Sequence, residues 1–124
     1  MSVPRITKEE LKSRLDGDSN ETPVILDARL KYPYEHSTVT LPGAVRVDPS
    51  NPDTSGLSLD RDIVAYDSDP EELVSARVAA LLIRKGYRAS ALQGGVSEWM
   101  TAKLPTEDKE APKQAPPKAG GLKG

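Results

Sequence analysis

Cysteine is absent from the 124-residue chain, which excludes disulfides, thiolate metal ligands, iron–sulfur ligation and any cysteine nucleophile. Phenylalanine is absent too, and the aromatic complement is Trp99 with Tyr32, Tyr34, Tyr66 and Tyr87. So few rings, with a net charge of only −2, offer neither stacking platforms for bases nor a basic face for a phosphate backbone, and nucleic acid is not an expected partner. Histidine occurs once, as His36, without a second histidine or a cysteine to share a metal, and an exposed loop position is expected for it. Neither a metal site nor a cofactor is expected. No apolar run approaches the roughly 20 residues of a membrane span, and no basic-then-apolar N-terminus suggests secretion. A cytoplasmic, monomeric protein with no membrane contact is the expectation.

What is present suits one small domain, because 124 residues at 36% apolar content cannot build two packed cores. The domain is expected over 1–104 and a disordered tail over 105–124. From Pro105 the chain is mostly Pro, Lys, Gly and Ala, and its four lysines (Lys109, Lys113, Lys118, Lys123) nearly balance Glu107, Asp108 and Glu110. Such a segment has little to bury, so a solvated terminus is expected rather than a docking arm.

Within the domain, Thr7 followed by Glu10 forms a capping-box pattern, with Leu11 and Leu15 at helical spacing and Gly17 as a stop. Pro23 to Asp27 reads as a short buried parallel strand ending at Asp27. Ala44 to Val47 is a second strand after the Pro42-Gly43 turn, and Ile63 to Tyr66 a third. A helix is predicted from Leu73 to Lys85, with Val74, Val78, Leu81 and Leu82 on one face and Ala76, Ala79, Ala80 and Ile83 beside them. Apolar on both faces, it is expected to be deeply buried, and Gly86 ends it. Ala89 to Leu92 is a fourth strand, and Gly94-Gly95 opens a short helix carrying Trp99, which is expected to pack on the sheet. Alternation of strands and helices implies a parallel α/β sheet.

Four separated motifs then fall in one order: Asp27-Ala28-Arg29 at a strand end, Leu41-Pro42-Gly43-Ala44, Ser75-Ala76-Arg77 on a helix, and Leu92-Gln93-Gly94-Gly95 leading to Trp99. This order resembles the rhodanese-like domain family over about Ile6 to Pro105. The resemblance implies a single domain whose parallel sheet of about five strands is flanked by helices. It also implies a loop, between strand and helix, that cradles an anionic sulfur donor. In active relatives a cysteine opening that loop takes sulfane sulfur as a persulfide and passes it to an acceptor. Here the cysteine position is Asp67 if the chain is aligned on the strand, or Asp69 if aligned on Ser75-Ala76. Ser68, Pro70, Glu71, Glu72, Leu73, Val74 and Ser75 complete the loop, and Asp27, Arg29 and Arg77 are its candidate supports.

A carboxylate is a hard oxygen nucleophile that cannot form and release a persulfide. It also repels the donor: two like charges about 4 Å apart near a protein surface cost roughly 4 kcal/mol, about three decades in affinity. Asp69, Pro70 and Glu72 are expected to serve as N-cap, first helical residue and capping-box partner. Asp67, one step off the strand, is not needed for that cap. Asp27 and Arg29 are expected to pair, and Arg77 to offset the loop acids or reach the end of the first strand. The expected function is therefore a non-catalytic binding or regulatory module, with a protein as its partner, or a sulfurtransferase form with its cysteines replaced by aspartate. The alternative is a metal-assisted phosphohydrolase using the Asp67-Ser68-Asp69 pattern.

Overall fold

The computed structural model describes residues 3–17, 22–68 and 73–109. In chain order the elements are β1 (Arg5–Ile6), α1 (Lys8–Asp16), β2 (Val24–Asp27), α2 (Lys31–His36), β3 (Val39–Thr40), β4 (Val45–Arg46), β5 (Asp62–Tyr66), α3 (Leu73–Arg84), β6 (Arg88–Leu92), α4 (Gly95–Thr101) and β7 (Glu107–Asp108). Five strands form one parallel sheet in the order β1-β6-β5-β2-β4. Among the described residues no helix is long and apolar enough to cross a membrane.

The period-two alternation of strand side chains divides the core in two. Leu26, Ile63, Ala65 and Ala89 face α3, where Val78, Ala79 and Leu82 meet them. Ile25, Val64, Tyr66 and Leu92 face the other way, onto Leu11 of α1 and Val96 and Trp99 of α4. Helices on both faces explain why β2 and β5 are apolar at successive positions instead of alternating. The helix boundaries follow local chemistry. Thr7 and Glu10 complete the capping box of α1. Gly94, at φ +83°, turns the chain into α4 where any Cβ would lie 2.5 Å from the Glu98 side chain.

The helix α3 differs from expectation. It buries Val74, Ser75, Val78, Ala79 and Leu82 but leaves Leu73 63% and Ile83 38% exposed. The sheet covers only one side of it, so the extra apolar residues face solvent. His36 is exposed as expected, but it ends α2 rather than lying in a loop.

The boundary at residue 104 also needs correction, because the chain stays on the domain as far as Lys109. The Trp99 indole N–H donates to the Pro105 carbonyl at 2.7 Å. β7 pairs antiparallel with β3, and the Gly43 amide donates to the Glu107 carboxylate at 3.0 Å. The Lys109 ammonium donates to the carbonyls of Tyr34, at 2.7 Å, and Glu35, at 3.3 Å, where α2 ends. A cation is favoured at a helix carboxyl end. Composition misses this segment because backbone pairing and a helix terminus hold it, with no apolar side chain involved. The remainder of the expected tail, 110–124, lies outside the described residues.

These contacts predict that a chain ended after Leu104 is less stable than one ended after Lys109. A difference of about 2–4 kcal/mol is expected from loss of several hydrogen bonds at about 1 kcal/mol each. Urea melts of the two chains, followed by Trp99 fluorescence, check it.

Candidate functional site

The order of the strands puts the site at the carboxyl ends of β2 and β5. The chain leaves β2 toward β4 on one side and leaves β5 through α3 toward β6 on the other. Adjacent strands whose connections diverge open a crevice at that edge of a parallel sheet. The edge is tied across β2: the Ala28 amide donates to the Tyr66 carbonyl at 2.8 Å and the Val47 amide to the Asp27 carbonyl at 3.1 Å.

Asp27 and Arg29 are 1% and 2% exposed and form the ion pair expected of them. The Arg29 guanidinium donates Nε to Oδ1 at 3.0 Å and Nη2 to Oδ2 at 2.7 Å. A further Nη2 bond reaches the Val39 carbonyl at 3.0 Å. Burial opposes the guanidinium charge, yet the hydrogen bonds and charge of Asp27 raise its pKa overall. The Tyr66 phenol lies beside this pair and accepts the Leu41 amide at 3.3 Å. Burial first, and then the Asp27 charge, push that phenol well above its ordinary value.

The second cation at the strand end is Arg46. Its Nη1 donates to the Asp27 carbonyl at 3.2 Å and to the Arg29 carbonyl, and its guanidinium carbon lies 4.2 Å from the Tyr34 ring centre. The Lys109 ammonium sits 4.4 Å from that ring. Sequence reasoning passed over Arg46, Tyr34, Tyr66 and Lys109. The signal for Arg46 was its place at the end of a strand in parallel register with Asp27. Arg77, expected to offset the loop acids or reach the end of the first strand, is exposed and lines a groove with Pro49 and Ser50; of those acids Asp69, Glu71 and Glu72 lie outside the described residues.

Asp67 follows β5 directly and is 1% exposed. Its carbonyl accepts the Val96 amide at 2.8 Å, and its carboxylate Oδ2 accepts the Ser75 amide at 2.7 Å. Ser75 is itself fully buried. The carboxylate thus bends back across the loop to an amide at the start of α3, which corrects the expectation that Asp67 takes no part in capping that helix. Ser68 is half-buried, Val74 buried and Leu73 exposed. Asp69, Pro70, Glu71 and Glu72 lie outside the described residues, and so does the N-cap assigned to Asp69. The described residues contain no group of three or more His, Asp or Glu side chains placed to hold a metal ion.

A model of the rhodanese-like domain matches residues 7–102. Among solved structures, a Bacillus halodurans protein is 18% identical with a TM-score of 0.73, the match covering 91% of this chain and 82% of that one. A thiosulfate sulfurtransferase from Pseudomonas aeruginosa is 24% identical with a TM-score of 0.69, over 87% of this chain and 20% of that chain. A Rhodopseudomonas palustris protein described as a possible tyrosine phosphatase is 21% identical with a TM-score of 0.67, over 85% of each chain. At these identities the likeness is one of fold. No curated protein matches.

The two buried carboxylates are expected to respond differently to substitution. Asp27→Asn leaves the Arg29 charge buried without its counter-ion and is expected to cost about 3–5 kcal/mol. Asp67→Ala loses an amide acceptor, about 1–3 kcal/mol, whereas Asp67→Asn keeps an acceptor and costs less. Urea denaturation of the three variants checks the ranking. A second expectation concerns alkaline stability. Above the ordinary phenol value of 10.0, the unfolded chain releases the Tyr66 proton while the folded chain keeps it, so stability falls as pH rises. Tyr66→Phe should flatten that decline between about pH 10 and 11 in pH-dependent melts.

Proposed function

The chain belongs to the rhodanese-like domain family, and on that premise we propose that it does not transfer sulfur and acts instead as a cytoplasmic, monomeric binding module. In this reading Asp67 stands where active relatives hold the nucleophilic thiolate. The observation that carries it is the Asp67 carboxylate, buried and bonded to the Ser75 amide, in a chain with no cysteine. The amide that would help hold an incoming anion already has a negatively charged partner supplied by the chain itself. A donor such as thiosulfate would have to displace that carboxylate and approach its charge, and would meet no thiolate on arrival. The fold is that of a sulfurtransferase domain, and the reaction lacks its nucleophile.

The phosphohydrolase reading is weaker. A nucleophilic aspartate needs a free oxygen facing its substrate and a divalent cation beside it, whereas Asp67 is 1% exposed and turned onto a backbone amide.

The purified chain is expected to give no thiosulfate:cyanide sulfur transfer above the blank. Asp67→Cys should gain the mass of one sulfur atom after incubation with thiosulfate, the new thiolate attacking the sulfane sulfur as sulfite leaves. Lowering of the thiol pKa near the start of α3 favours that step. Persulfide on Asp69→Cys alone would move the nucleophile position to Asp69. Sulfur transfer by the unchanged chain would overturn the reading. So would magnesium-dependent phosphate release from an aryl phosphate that is lost in Asp67→Asn.

A further inference from the structure

The helix α2 has six residues and buries none of them. Tyr32 is 66% exposed, and Leu30, at the N-cap, gives the helix no side-chain hydrogen bond. A helix this short does not persist in water by itself, because nucleation is unfavourable and few backbone bonds follow it. Its fastenings among the described residues gather at Tyr34 and at its carboxyl end. The Lys109 ammonium donates to the Tyr34 and Glu35 carbonyls. The Tyr34 ring also takes the Arg46 guanidinium at 4.2 Å and the Lys109 ammonium at 4.4 Å. Lys109 directly follows β7, whose two residues are both exposed. That strand is held by its pairing with β3, by the Lys109 amide on the Thr38 carbonyl at 2.9 Å, and by the Glu107 carboxylate on the Gly43 amide.

With no buried side chain in either element, α2 and β7 depend on each other. The helix needs the ammonium that follows β7, and β7 needs β3, which the chain reaches through α2. Parts of a fold that bury little apolar surface open at lower free energy than the core, and they open in cooperative units. The fixed points around this unit are plain. Ala28 and Leu41 are fully buried and bonded to the Tyr66 carbonyl and phenol, and Pro105 is held by the Trp99 indole. We infer that residues 30–40 and 106–109, which carry α2, β3 and β7, form a flap that opens and closes as one unit over the carboxyl end of β2, with Lys109 as its latch. Arg29 is 2% exposed, and both Val39 and Tyr34 of the flap lie against it. Opening therefore uncovers a guanidinium that the closed form buries, at the edge where a parallel sheet takes its ligands. The inference does not depend on whether Asp67 carries sulfur, because the flap and the Asp67 loop are built from different residues.

Native-state hydrogen exchange of the full chain, read amide by amide in NMR spectra, tests this. The Tyr34 amide is bonded to the Leu30 carbonyl at 3.0 Å, the Lys109 amide to the Thr38 carbonyl, and the Gly43 amide to the Glu107 carboxylate. These three should be protected, should share one opening equilibrium, and should exchange at least about tenfold faster than the Ala28 and Val47 amides beneath the flap. In Lys109→Met the Tyr34 amide, 75 residues away in sequence, should exchange about tenfold faster again, as loss of the ammonium hydrogen bonds implies. The Gly43 amide should speed up with it. Unchanged rates at Ala28 and Val47 show that the variant is folded. Lys109→Arg keeps a cation at the end of α2 and should restore most of the Tyr34 protection. The inference is overturned if Lys109→Met speeds Gly43 and leaves Tyr34 unchanged, which makes α2 independent of β7. It is overturned equally if the three amides exchange only as slowly as Ala28, which makes the flap part of the core, or if Tyr34 is unprotected in the unchanged chain. Failure of Lys109→Arg to restore protection overturns the role of Lys109 as the latch.

Discussion

Taking a carboxylate and a guanidinium out of water costs several kcal/mol per ion, and only close pairing with further hydrogen bonds offsets that cost. Asp27 and Arg29 meet this condition at the end of β2, and much of the surrounding structure follows from satisfying them. The two residues are separated by one position, so the local chain geometry can bring their side chains to the same side of the sheet. A guanidinium has five donors, and the carboxylate cannot take them all. The Val39 carbonyl takes another, and Val39 is itself held by β7. Arg46 bonds the carbonyls of both Asp27 and Arg29. Tyr34 lies against Arg46, and Lys109 covers Tyr34. A buried charge pair in the sheet thus organises α2, β3 and the segment that follows α4.

Asp67, at the end of the neighbouring strand, meets the same problem by a different route. It is as buried as Asp27, and its carboxylate accepts a hydrogen bond from the Ser75 amide at the start of α3, which favours the charged form. A carboxylate held in this way is a hard oxygen acceptor and does not carry the sulfur chemistry of a polarisable thiolate. The frame around the position is that of the family.

The elements were legible in the sequence where short-range chemistry decides them. The capping box at Thr7 and Glu10, the apolar runs of β2 and β5, and the glycines before α4 act over a few residues and formed as read. The Asp27–Arg29 pair was legible for the same reason. The short strands β1, β3 and β7 were not, because two-residue strands carry no periodic signal and exist only through their partners.

By itself, then, the sequence determined the α/β class, the order of the main elements and the absence of a sulfur nucleophile, all of which depend on residue type and near-neighbour spacing. Only the tertiary structure decided that Arg46 rather than Arg77 reaches the end of β2, that Asp67 closes on Ser75, and that residues to Lys109 remain on the domain. Each of these rests on contacts between parts of the chain well beyond a helical turn. Which distant amide, carbonyl or charge a side chain meets is set by the packing of the whole sheet, since local propensity leaves such choices nearly equal in energy.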